Sequence, residues 1–138
     1  MSEFTLHERL ASDTVPVADG PLSVILLMNE RTYPWLILVP RRSDLREMHD
    51  LTATDQAQLM VEITTASQCL ESLFAADKIN VGALGNLVPQ LHIHVIARFS
   101  TDPAWPGPVW GVAPPEPYDP GGLANQVETL RNAFHQEF

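Results

Sequence analysis

The segment Gln90-Leu-His-Ile-His-Val-Ile-Ala-Arg98 concentrates the residues of this chain that could do chemistry. Read as a strand, its period-two geometry puts Leu91, Ile93, Val95, Ala97 and Phe99 on a core face. Gln90, His92, His94 and Arg98 then share the other face. Side chains two apart on one strand stand roughly 6.5–7 Å apart at their roots, so several can reach one anionic group. Imidazole is a good nucleophile near neutral pH, with a reference pKa of about 6.5. One ring nitrogen can attack while the other donates to a carbonyl that fixes the tautomer. A second imidazole can steady phosphoryl oxygens or serve a leaving group as an acid. Arg98 could offset negative charge at longer range. Just before the strand, Gly82-Ala-Leu-Gly85-Asn86 forms a two-glycine loop whose backbone N–H groups could line a phosphate pocket. Together these residues describe nucleotidyl transfer through a phospho-histidine intermediate.

Two other readings fit the same row. A His-x-His pair on the outer face of an antiparallel strand can be plain surface polarity. It can also supply two ligands to a metal, but such a site wants a third and usually a fourth. His7, His49 and His135 are too remote in sequence to be assigned to it, and Cys69 is the single cysteine. The pattern alone leaves all three readings open.

A wider resemblance weighs on that choice. Val88-Pro-Gln-Leu-His-Ile-His-Val-Ile-Ala-Arg98 resembles the signature of the histidine triad (HIT) family, His-φ-His-φ-His-φ-φ with φ apolar. Gln90 stands where the first histidine would be, His92 matches the middle one and His94 the last. Leu36-Ile-Leu-Val-Pro-Arg41 is similar to the family's second hairpin strand. Asn29, Asn80-Val-Gly82, Gly85-Asn86 and Trp105-Pro-Gly107 resemble further family positions, so the likeness runs from about Leu22 to Gly107. It implies an α+β fold: an antiparallel sheet of about five strands with one long helix packed on it and a C-terminal helix. It implies hydrolysis or transfer at the α-phosphate of a nucleotidyl substrate, of the dinucleoside polyphosphate or nucleoside phosphoramidate class. By the same resemblance His92 is the nucleophile, and His94 the phosphate contact and leaving-group helper. Asn80 and Asn86 become phosphate-side candidates, Asn29 a ribose contact, and a twofold homodimer is implied; Gly85 of the loop and Arg98 of the row complete the nucleotide-binding candidates. Two departures stand out. Gln90 cannot carry charge or move a proton near neutral pH. Leu87 replaces the Ser or Thr that several branches place toward the leaving group. A nucleotide-binding regulatory module with weak or lost turnover is therefore the alternative to an enzyme.

The elements that must position these residues are legible in outline. Leu22–Met28 and Trp35–Val39 are apolar runs of strand length joined by a polar segment, which reads as an antiparallel hairpin with both faces covered. Thr5–Leu10 reads as a short helical turn or strand. Thr52 or Thr54 can cap a helix, with Asp55 in its first turn. Leu59, Ile63, Ala66, Leu70 and Leu73 form its apolar stripe, Met60, Ser67 and Phe74 widen it, and it ends near Ala76. Ile79–Val81 is a short strand, and Leu87–Phe99 reads as the clearest strand in the chain. Seven prolines between Thr101 and Pro120 mark an extended arm carrying Trp105 and Trp110. These tryptophans, and Trp35 within its strand, read as packing anchors before base-stacking platforms. Leu123, Val127, Leu130 and Phe134 mark a terminal amphipathic helix over about 122–136.

Composition bounds the rest. With 138 residues the chain reads as one HIT-like domain, 1–138. Lys+Arg is 8 against Asp+Glu 17, a net charge of −9, which argues against a nucleic-acid polymer or an anionic membrane as partner. The single cysteine excludes an intrachain disulfide framework. Met1–Leu10 has no apolar signal-peptide core. The expectation is a cytoplasmic protein that acts on a small nucleotide and needs no cofactor or metal.

Overall fold

The computed structural model describes residues 3–138; Met1 and Ser2, at the head of the polar N-terminal stretch, lie outside them. Five antiparallel strands form one sheet in the order β1-β2-β3-β5-β4. They are β1 (Thr14–Asp19), β2 (Ser23–Met28), β3 (Trp35–Pro40), β4 (Lys78–Gly82) and β5 (Ile93–Arg98). The expected hairpin is β2–β3, in register through Leu26 opposite Ile37. The helices are α1 (Glu8–Asp13), α2 (Ala53–Phe74) and α3 (Pro120–His135). The α+β architecture is therefore the expected one.

The helix ends follow local chemistry. Thr52 Oγ1 accepts from the Asp55 N–H at 3.1 Å and starts α2. The helix stops where Ala75 turns left-handed, at φ 53°. Asp119 caps α3 through the Gly122 N–H at 2.7 Å, with Pro120 in the first turn, where its missing N–H costs nothing.

Apolar packing covers both faces of the sheet. On one face, Ile25, Leu27, Leu36, Leu38, Ile93, Val95 and Ala97 pack with Leu59, Ile63, Ala66 and Leu70 of α2 and with Val127, Leu130 and Phe134 of α3. On the other, Leu26, Trp35, Ile37, Val39 and Ile96 meet Leu10, Val88 and Val109. The histidines belong to this second face. One unexpected anchor joins α2 to the β1–β2 turn. The fully buried Glu62 carboxylate accepts from the N–H groups of Leu22 (2.7 Å) and Ser23 (2.9 Å) and from Gln58 Nε2.

Several expectations need correction. Residues 14–19 form a strand the sequence pattern did not show, because Pro16 and a shifted register between Pro16 and Ala18 break its alternation. Leu87–His92 is not strand: β5 starts at Ile93, and the preceding residues bond to loops instead of a neighbouring strand. The Leu91 N–H, for example, donates to Leu45 O. Met60 does not widen the buried stripe of α2; it is 61% exposed. The proline-rich arm is not one extended run: residues 101–113 are mostly turns and bends, and 114–119 lead without regular structure into α3.

Candidate active site

β5 carries His94 and Arg98, and His92 stands just before it. Their backbone positions are fixed by pairing of β5 with both β3 (Ile37 opposite His94) and β4 (Gly82 opposite His94). Both imidazoles are buried, and their ring centroids lie 4.9 Å apart. They line a cavity of about 390 Å3 with Trp35, Ile37, Met28, Leu84, Gly85, Asn86, Leu87, Val88, Trp110 and residues of α1. Gly85 turns the loop with φ +72°, a backbone conformation that suits glycine. Gly82 makes room of a different kind. A Cβ there would come within 3.2 Å of the Trp110 ring, so its absence lets Trp110 settle over His94 at a 5.3 Å centroid distance.

The two histidines are held in opposite tautomers. His92 Nδ1 lies 2.7 Å from the backbone carbonyl of Gln90. A carbonyl only accepts, so the Nδ1 carries the proton and the neutral ring keeps a lone pair at Nε2. Trp35 Nε1–H donates to His94 Nδ1 at 3.0 Å. Indole N–H only donates, so the single proton of the neutral His94 ring sits at Nε2. Burial, and then the nearby His92, push the His94 pKa down to about 4. Near neutrality His94 is therefore an uncharged N–H donor, and the carbonyl contact leaves Nε2 as the nitrogen that His92 can offer as a nucleophile.

The structure sorts the remaining candidates. Gly85 and Asn86 line the histidine cavity. Gln90 does not; its amide is turned to the N-terminal segment, accepting from the His7 N–H and donating to Thr5 O, both at 2.8 Å. There it lines a separate cavity with Glu3, Thr5 and Arg46. The expected row of four polar side chains on one strand face is thus broken at Gln90, because residue 90 precedes the strand. Arg98 is 1% exposed and committed elsewhere. Its guanidinium grips Asp102 at 2.8 and 3.0 Å, Asn80 Oδ1 at 2.8 Å and Gly107 O at 2.8 Å. Arg98 and Asn80 therefore fasten the arm that delivers Val109 and Trp110, and neither lines the cavity. Asn29 Oδ1 likewise accepts from the Tyr118 N–H at 3.0 Å and holds the far end of the arm. Among the described residues no group of three or more His, Cys, Asp or Glu is placed to hold a metal ion.

Trp35 is the residue that sequence reasoning undervalued. It is the packing anchor expected of a tryptophan in an apolar strand, and its N–H also sets the His94 tautomer. The signal available was its position: an indole in a strand needs a partner for its one donor.

Comparison with known proteins fits this geometry. The model of the HIT domain family matches residues 9–101, about two-thirds of the chain. The chain belongs to the HIT domain family. A histidine triad protein from Marinobacter aquaeolei VT8 is 48% identical, with a TM-score of 0.95 over 98% of each chain. Another from Bradyrhizobium japonicum is 48% identical, with a TM-score of 0.92 over 96% of this chain and 98% of that one. A curated relative, the asymmetrical bis(5'-nucleosyl)-tetraphosphatase of Schizosaccharomyces pombe, is 29% identical over 72 residues. That match spans 49% of this chain and only 39% of the relative's own length. No helix among the described residues is long and apolar enough to cross a membrane.

Proposed function

We propose that this HIT protein is a nucleotide hydrolase or nucleotidyltransferase in which His92 Nε2 attacks the α-phosphorus of a nucleotidyl substrate. The observation that carries the reading is the opposite-tautomer pair. A carbonyl-held His92 leaves Nε2 unprotonated, and 4.9 Å away a tryptophan-held His94 offers Nε2–H to a phosphoryl oxygen. The loop at Gly85 and Asn86 adds polar groups on the same cavity, and the Trp35, Trp110, Met28 and Leu10 walls suit a nucleoside. The N–P bond forms as the leaving group departs. Water then attacks phosphorus, the N–P bond breaks and His92 regains its lone pair. The step draws on no cofactor or metal. The activity named for the yeast relative belongs to the same broad chemistry. Asn29, Asn80, Gln90 and Arg98 act in this reading by shaping the walls, not by touching the nucleotide.

The protein would work in the cytoplasm on a small molecule, with no nucleic-acid polymer or membrane as partner. It would form a homodimer, an expectation supported by the open edge of β4, where Val81 is exposed. A panel of nucleotidyl substrates assayed for released nucleoside monophosphate tests the reading. His92→Asn should abolish turnover of the best substrate; unchanged turnover removes the mechanism. The competing reading, a nucleotide-binding module with lost turnover, is favoured by the diversion of Gln90 to the N-terminal segment. Calorimetric nucleotide binding without turnover of any substrate would decide for it.

A further inference from the structure

One wall of the histidine cavity carries an ion pair that the proposed chemistry does not use. The sheet order sets the direction of the cavity. α1 leads into β1 at one edge, Met28 lies on β2, Trp35 and Ile37 on β3, His94 on β5, and the Gly85–Asn86 loop follows β4 at the other edge. Phosphorus at the histidines therefore leaves a nucleoside to run over Ile37, Trp35 and Met28 toward α1. Strands stand about 4.8 Å apart, so β5 and β2 are separated by roughly 10 Å, a span that a base on its ribose covers. On that wall Arg9 and Asp13 line the cavity, with Leu10 between them in sequence.

The pair is fixed at its backbone and loose at its tips. Leu10 is buried and packs with Leu26, Trp35 and Ile37. Before it the His7 N–H donates to Gln90 Oε1 at 2.8 Å, and behind it Asp13 O accepts from the Asn29 N–H at 3.0 Å. The two side chains meet only at 3.7 Å, Arg9 Nε to Asp13 Oδ2, and are 60% and 46% exposed. An exposed contact of that length is worth little, so a ligand can take its place at little cost. Helix stability does not account for the pair either. α1 has six residues, with the cation in its first turn and the anion at its last position, each at the end the helix dipole disfavours. Cation before anion is also the weaker order for an i,i+4 pair.

We propose that Arg9 and Asp13 read the base of the bound nucleotide and select guanine. This rests on the reading of the cavity as a nucleotide site and narrows it. Residues four apart on a helix stand about 5–6 Å apart at Cβ, so a donor fork and an acceptor fork face the ligand side by side. Guanine offers partners for both along one side. Its O6 and N7 accept two bonds from a guanidinium, and its N1–H and N2–H donate two to a carboxylate. Adenine in the same place sets its N6 amine against the guanidinium and its bare N1 against the carboxylate. Turned over, it gives each fork a single bond. Hypoxanthine keeps O6, N7 and N1–H and loses only the N2 donor. Leu10, Met28, Ile37 and Trp35 offer apolar contact to the ring and no polar discrimination, so the bases are told apart at their edges.

Calorimetric titration with guanosine, inosine and adenosine monophosphate at fixed salt tests this without any turnover. Guanosine monophosphate should bind about tenfold more tightly than adenosine monophosphate, with inosine monophosphate between them. That ranking needs no variant. Asp13→Asn and Arg9→Gln should each weaken guanosine monophosphate about fivefold or more and leave adenosine monophosphate within about twofold. Equal or reversed affinities for the guanine and adenine nucleotides overturn the proposal and leave His92 chemistry standing. So does an Arg9→Gln variant that weakens all three alike, because Arg9 would then hold phosphate and not the base. No binding of any of the three overturns the nucleotide reading of the cavity and this proposal with it.

Discussion

Replacing Trp35 with phenylalanine isolates the element on which the site's chemistry turns. The ring remains apolar and aromatic, so the strand should still pack, but the N–H that donates to His94 Nδ1 is gone. A buried acceptor left without a partner costs about 1–3 kcal/mol of folding stability. The lost indole contacts with Tyr33 and Trp110 add to that. The catalytic effect is separable. With Nδ1 free, the proton of neutral His94 is no longer confined to Nε2, and the donor aimed at the phosphoryl oxygen is present only part of the time. A net hydrogen-bond contribution of about 1–1.5 kcal/mol corresponds to about a tenfold loss in kcat. KM should change less, because the walls that hold the nucleoside stay in place. Nitrogen-15 NMR of the imidazoles should show His94 as the Nε2–H tautomer in the wild type and as a mixture in Trp35→Phe. A folded variant with an unchanged tautomer and kcat within about twofold of wild type would refute the lock.

Three further outcomes follow from the same contacts. Gln90→Ala should release the N-terminal segment, seen as lost hydrogen-exchange protection at the His7 amide, and raise KM severalfold with little change in kcat, because α1 forms a cavity wall. Equal losses in kcat and kcat/KM would instead place Gln90 in the chemistry. Arg98→Leu should cost about 3–5 kcal/mol in urea denaturation by leaving Asp102 buried and unpaired, and Arg98→Leu with Asp102→Leu should recover much of it. His94 also makes stability depend on pH. It takes a proton near 6.5 in the unfolded chain but only near about 4 in the folded one, so the unfolded state binds more protons between those values. Stability should therefore fall as pH drops through that window, by up to about 3 kcal/mol, and His94→Gln should remove this part of the slope. Parallel wild-type and variant urea midpoints across the window would contradict it.

What could be read in the sequence divides along a physical line. Local patterns carried the β2–β3 hairpin, the Thr52-capped α2, the α3 stripe and the face that holds His92 and His94. Each rests on a short-range period or cap. β1 was hidden because Pro16 and its shifted register disrupt the alternation that marks a strand. The false extension of β5 back to Leu87 arose because alternation also persists through a loop whose apolar members, Val88 and Leu91, are buried one on each side of the sheet. Side-chain commitments over long sequence separations were not legible at all. Arg98 looked free to meet phosphate, yet Asp102, Asn80 and Gly107 take it up. Gln90 looked like a weakened catalytic residue, yet it holds Thr5 and His7. Trp35 and His94 are 59 positions apart, and only the β3–β5 pairing brings them together.

The proposed mechanism requires that His92 Nε2 become covalently nucleotidylated. Rapid acid-free quenching of the protein with an activated aryl ester of adenosine monophosphate, followed by intact-mass and peptide mass spectrometry, tests it most directly. An adenylyl adduct is expected on His92 that forms and decays within one turnover and is absent in His92→Asn. An adduct on His94, or full turnover with no adduct on either histidine, would contradict it.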